Sequence, residues 1–156
     1  MITSIAEGAL MKRDIISEAS SIVHRKLKSV DHDFTALPGS LQTFLRVEVV
    51  QGILDNGGLQ YFFESNFEDE QPYANFVDSY REIGAGDEAI ALEKAVAFFS
   101  FPNPHLDSEQ RCIVMESLWR DVPEFADIDN LLCGNKAVWD KLAAYVLANR
   151  EEFPIR

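Results

Sequence analysis

Residues 40–66 read SLQTFLRVEVVQGILDNGGLQYFFESN, and this stretch decides the fold. Ser40 offers a hydroxyl to the open N–H groups at the start of a helix. Leu41, Phe44, Leu45, Val49 and Ile53 then recur every three or four residues, the spacing of one helical face. Asn56-Gly57-Gly58 interrupts the pattern, because glycine takes the left-handed conformation that closes a helix. An Asn-Gly pair also makes hairpin turns, but no alternating apolar runs flank this one. The spacing therefore predicts a helix ending near Gly58, followed by an aromatic segment of one or two helical turns over 59–65.

The same periodicity extends in both directions. Ile15, Ala19, Ile22, Val23, Leu27 and Val30 mark a first amphipathic helix that begins as early as Ile5 and ends at Asp31-His32-Asp33. Beyond the aromatic segment, Pro72 suits the first turn of a helix with Tyr73, Phe76, Val77, Tyr80 and Ile83 on one stripe. Gly84-Ala85-Gly86 breaks the chain. The run from Ala89 to Phe99 is apolar except for Glu93 and Lys94 and predicts the most buried helix. Asp107 with Gln110 has the form of a capping box opening a helix with Cys112, Met115 and Trp119 on one side. Pro123 starts a short acidic helix or turn to Leu132, and Asn135 caps a last helix through Val138, Trp139, Leu142, Tyr145 and Val146. No segment alternates with period two. The expectation is an all-α bundle of six to eight helices, with residues 1–156 forming one acidic helical domain.

Composition excludes several functions. Unbroken apolar runs such as Ala95–Phe99 are far short of the roughly 20 residues of a bilayer span. The N-terminus lacks the basic segment and apolar core of a signal peptide, so the expected location is cytoplasmic. Cys112 and Cys133 have no CxxC or metal-ligand spacing and are expected to be reduced core thiols. The 14 Lys+Arg against 26 Asp+Glu give a net charge of −12, which repels nucleic acid and acidic membranes.

That charge is unevenly placed. Residues 64–88 hold Glu64, Glu68, Asp69, Glu70, Asp78, Glu82, Asp87 and Glu88 against Arg81 alone, and residues 121–129 hold Asp121, Glu124, Asp127 and Asp129 without a base. Interspersed charge would serve solubility, so two base-poor windows point to a positively charged partner. The plainer alternative is a solvated acidic face. Asp78 and Glu82, like charges one helical turn apart, disfavour an isolated helix slightly and would suit a basic partner.

Catalytic and cofactor patterns are weak. Glu48 falls among Leu41, Phe44, Leu45, Val49, Gly52 and Ile53, and a buried carboxylate needs donors or a proton. The expected donors are the open N–H groups of the turn at Gly57-Gly58 or Tyr61; the functional alternative is a general base. Neither glycine pair has the strand and spacing of a phosphate loop. Asp127 and Asp129 lack the glycine and distal glutamate of a calcium loop. His24, His32 and His105 are scattered without a nucleophile motif. No cofactor, metal or catalytic residue is assigned.

The run from Glu48 through Asn56-Gly57-Gly58-Leu59-Gln60-Tyr61-Phe62-Phe63 to Asn66 resembles a small acidic bacterial domain family that includes a dimeric DNA-mimic protein. The likeness extends over residues 40–150. It implies an all-helical fold in which Glu48, Asn56, Gly57, Gly58, Tyr61, Phe62, Phe63 and Asn66 are structural. For the characterised member it implies binding to DNA-binding proteins through phosphate-like charge, and it leaves a homodimer open.

The first reading is thus a non-catalytic protein that mimics DNA toward a basic transcription factor or nucleoid protein. Its expected contact residues are Glu64, Glu68, Asp69, Glu70, Asp78 and Glu82 with Asp121, Glu124, Asp127 and Asp129, converging on one face. The second is an interaction or immunity-type module for a basic partner that does not bind DNA. The third is an enzyme with a pocket near Glu48.

Overall fold

Apolar side chains at helical spacing bury themselves only when helices pack face to face. In the computed structural model, which describes residues 2–156 and the side chains from residue 7 onward except Leu10, seven α-helices do this: α1 (Ile2–Ser29), α2 (Gly39–Glu64), α3 (Tyr73–Glu82), α4 (Gly86–Ala97), α5 (Ser108–Asp121), α6 (Pro123–Leu132) and α7 (Lys136–Ala148). Three single 3-10 turns, at 34–36, 68–70 and 104–106, complete the order, and no strand occurs among the described residues. None of these helices is long and apolar enough to cross a membrane.

The centre is α2, against which α3, α5, α6 and α7 pack, with α4 bridging α3 and α6 and α1 lying along α7. Twelve α2 residues are buried, among them Phe44, Val47, Val50, Leu54, Leu59, Phe62 and Phe63. α2, rather than the helix after Gly86, is therefore the interior helix. In α4, Ile90 is half exposed and Ala97 faces solvent, because the helix is covered on only one side.

The caps expected at Asp107 and Asn135 hold, whereas α2 begins at Gly39 behind Pro38 and Ser40 makes no cap, and the start of α1 and the inward face of α5 also differ from the expectation. Helix α1 starts before Ile5 and stops at Ser29, where Asp31 and His32 both adopt left-handed backbone and the His32 N–H closes the last turn on Leu27 O at 2.9 Å. Asp107 caps α5, its carboxylate accepting from Gln110 N at 3.0 Å, and Asn135 caps α7 by accepting from Ala137 N at 3.1 Å. On α5 the buried side chains are Arg111, Met115 and Leu118, so the inward face is rotated from the one expected through Cys112 and Trp119. Both cysteines are free and exposed, which corrects their assignment to the core.

Candidate functional site

The glycine pair breaks α2 as expected, into a longer segment before Gly58 and a short aromatic one from Leu59 to Glu64. Gly58 has φ 64° and ψ −160°, a conformation that a side chain would make costly, and the helix resumes at once to Glu64. A Cβ at Gly58 would collide with the Asp129 carboxylate, and one at Gly57 would collide with the Tyr61 ring. Both positions are glycine because neighbours occupy the space of a side chain. The restart leaves the Leu59 N–H without a helical partner, and Asp129 Oδ1 of α6 accepts from it at 2.6 Å. The carboxylate also faces the positive end of the restarted segment.

The other motif residues serve the same joint. Asn56 donates to Gly52 O at 2.7 Å, while Phe62 and Phe63 are fully buried and meet edge-on. Arg111, fully buried on α5, gathers the end of α2 by donating to Phe63 O at 2.8 Å, Asn66 Oδ1 at 2.8 Å and Pro104 O at 2.7 Å. All these acceptors are neutral, so the guanidinium is held by the carbonyl-rich negative end of a helix instead of by a carboxylate. Nothing in the periodicity marked Arg111, although a lone arginine on an apolar face was a readable sign.

A second buried polar cluster fixes α6 and α7 to α2. Gln51 is fully buried, donates to Leu132 O at 2.9 Å and accepts from the Tyr80 hydroxyl at 2.8 Å. Burial, with Asp55 and Glu88 nearby, pushes the Tyr80 hydroxyl well above its ordinary range. Asp55 accepts from Gln51, from Gly134 N at 2.8 Å and from Trp139 Nε1 at 2.8 Å.

Glu48 does not bond to the glycine turn, because Asp129 has taken that donor. The buried stripe of α2 runs through Phe44, Val47, Gln51 and Leu54, which turns Glu48 toward α1 at the edge of the core. Its Oε2 lies 3.8 Å from His24 Nε2 and has no hydrogen-bond partner among the described residues. Burial raises its carboxyl above the ordinary value, and the Ser20 hydroxyl and His24 pull the other way. The carboxylate stands between serine and histidine, whereas a nucleophilic triad needs the imidazole between serine and acid. Among the described residues no His/Cys/Asp/Glu group is arranged to hold a metal ion.

The acidic windows separate into working and idle carboxylates. Glu82 accepts from Thr43 Oγ1 at 2.7 Å and from the Tyr145 hydroxyl at 2.5 Å, tying α3 to α2 and α7. Burial, then Glu82 itself, pushes the Tyr145 hydroxyl upward. Arg81 spans Asp78 at 3.0 Å and Glu93 at 2.9 Å, and Arg120 meets Asp121 at 3.1 Å. Glu88 is buried beside Lys141 and Asn135. With Asp129 and Glu82 engaged inside the fold, two of the ten expected contact residues are structural. Glu64, Glu68, Asp69, Glu70, Glu124 and Asp127 are exposed and have no cationic partner among the described residues.

Glu68, Asp69 and Glu70 form one 3-10 turn in which Asp69 (φ 63°) and Glu70 (φ 47°) are left-handed. The turn borders a groove between α1 and α2, while α6 packs against α2, α4 and α5.

The pattern of the DMP19-like protein family matches residues 35–149. That range starts within the 34–36 turn, covers α2 to α7 entirely and ends one residue after α7. No curated protein and no solved structure matches the chain.

Proposed function

The chain belongs to the DMP19-like family, and from that membership and its unpaired acids we propose that it is a non-catalytic binding protein that mimics DNA toward a basic, DNA-binding partner. The observation that carries this reading is the turn at 68–70. The three successive carboxylates of Glu68, Asp69 and Glu70 satisfy no donor among the described residues, and two of them sit on backbone that costs free energy to hold. Asp129, Glu82 and Asp55 have identifiable donors inside the fold; Glu68, Asp69 and Glu70 do not. A partner bearing a phosphate-binding surface would supply the missing cations, and the resemblance to a family with a DNA-mimic member supports this choice of partner. Glu124 and Asp127 join the same surface in this reading, which also includes a cytoplasmic setting and a homodimer.

The test is capture of proteins from cell extract at low salt, release by salt, and titration of the captured partner with and without duplex DNA. Release should be steep, since exposed charges are screened over about 8–10 Å at physiological ionic strength. The informative variant is Glu68→Lys with Glu70→Lys, because Asp78 and Glu82 are already committed to Arg81, Thr43 and Tyr145. Competition with DNA and loss of binding in that variant support mimicry. Simultaneous binding of DNA rejects it and leaves the interaction module with a basic partner that does not bind DNA.

A further inference from the structure

Beside the acidic turn, the outer side of α2 is left uncovered. Leu45, Val49 and Ile53 follow at i, i+4 and i+8, and with Leu27 of α1, Phe67 and Phe76 they floor a groove of about 330 Å³. The depression continues past Val49 and Ile53 into a second, more open part of about 500 Å³ that reaches Tyr61 and Ser65. Val49 is 39% exposed and Tyr61 53% exposed, although both stand on the central helix. Glu68 and Asp69 rim the first part, and Glu48 and Glu64 rim the second. Arg46, the one Lys or Arg among the described lining residues, is already occupied. It donates to Gln71 Oε1 at 2.8 Å and lies over the Phe34 ring at 4.9 Å.

We propose that this groove receives an amphipathic basic helix of the partner, apolar side toward Leu45, Val49 and Ile53 and Lys or Arg side chains toward Glu64, Glu68 and Asp69. The proposal rests on the acidic-partner reading above and names the element of the partner that docks. Charge complementarity sets the sign of the occupant: an anionic lipid, nucleic acid or fatty-acid carboxylate would meet the exposed rim carboxylates Glu64, Glu68 and Asp69, whereas a cationic segment is drawn in. Geometry sets its form. No strand occurs among the described residues, so no strand edge is offered to an extended peptide, while a helix brings its own backbone bonds with it. The floor from Leu45 to Ile53 is about 12 Å long at 1.5 Å per residue. That length accommodates two turns of a helix carrying three apolar anchors.

The test uses the full chain and a labelled 14-residue Leu/Lys peptide with leucines on one helical face, beside an isomer of identical composition whose order destroys that face. The amphipathic peptide should bind at least about tenfold more tightly, about 1.4 kcal/mol, and shift amide resonances of residues 45–53 and 65–69. Val49→Ser, at a half-exposed site, should weaken the amphipathic peptide severalfold and leave the isomer unchanged, with circular dichroism confirming the fold. Equal, salt-sensitive binding of both peptides overturns the groove while the acidic-surface reading stands. Binding of neither also overturns the groove, and the extract experiment then judges the acidic surface on its own. Resonance shifts confined to α6 overturn the groove as well.

Discussion

The joint at Gly58 and the turn at 68–70 lie ten residues apart and use the same ingredients, left-handed backbone and carboxylates, to opposite ends. At the joint, the Asp129 carboxylate fills the space of a missing Cβ and accepts from the Leu59 N–H, so strain and charge are both compensated inside the fold. At the turn, Asp69 and Glu70 hold non-glycine residues in the left-handed region, and their carboxylates face solvent without a donor. An acid next to an orphaned N–H is architecture. An acid on a strained exposed turn with nothing to neutralise it is available to something outside the molecule.

The contrast breaks most visibly through Arg111. Replacing it with Ala strips the end of α2 of the donors that gather Phe63 O, Asn66 Oδ1 and Pro104 O. Loss of these buried charge-assisted hydrogen bonds is expected to destabilise by about 3 kcal/mol, read by denaturant unfolding. A loss below about 1 kcal/mol would mean that water replaces the guanidinium and that the joint is not sealed.

Next in size is the joint itself. Asp129→Ala leaves the Leu59 N–H unpaired and should cost about 1–3 kcal/mol. Gly58→Ala should cost about 1–3 kcal/mol for its backbone conformation, plus the collision with Asp129. Because Asp129→Ala removes the colliding atoms, the double variant should be less destabilised than the sum of the two, and strict additivity would show that the two residues do not meet.

Glu48 offers a smaller, pH-dependent effect. Burial raises its folded carboxyl above the ordinary value of 4.5, so the acid form is preferred in the folded state. Its contribution is therefore most favourable below pH 4.5 and is lost as pH rises through the raised value. Glu48→Gln keeps the neutral form throughout. The melting temperature of the variant relative to the parent should climb between about pH 4 and pH 7, with a difference in stability under about 1 kcal/mol. A relative fall over that interval would show that Ser20 and His24 outweigh burial.

The smallest expected stability change comes from the turn. Glu68→Lys with Glu70→Lys should leave unfolding within about 0.5 kcal/mol while abolishing capture of the partner. A large loss of stability would place these acids with the structural class and dissolve the comparison.

Much of this was legible before any coordinates. The stripes through Phe44 and Leu45, through Tyr73, Phe76 and Tyr80, and through Val138 and Leu142 produced an all-helical bundle, and the caps at Asp107 and Asn135 stand where local chemistry put them. The candidate surface was legible only as composition. Asp127 and Asp129 are indistinguishable as a pattern, yet one is exposed and the other receives a hydrogen bond from a residue 70 positions away. Glu48 was misdirected for the same reason, since its sequence neighbour at the glycine turn had already been claimed by α6.

The amino-acid order alone determined the helical class, the break at Gly57-Gly58 and the net acidity, because backbone preference, side-chain period and formal charge are local properties. Tertiary packing decided which helix is central, which face of α2 is buried, and which carboxylates are consumed by the fold. Those outcomes depend on donors brought in from other helices: Leu59 to Asp129, Gly134 and Trp139 to Asp55, Tyr145 and Thr43 to Glu82. A carboxylate's role is set by the donor that reaches it, and in a bundle that donor comes from a segment whose distance along the chain carries no information about its distance in space.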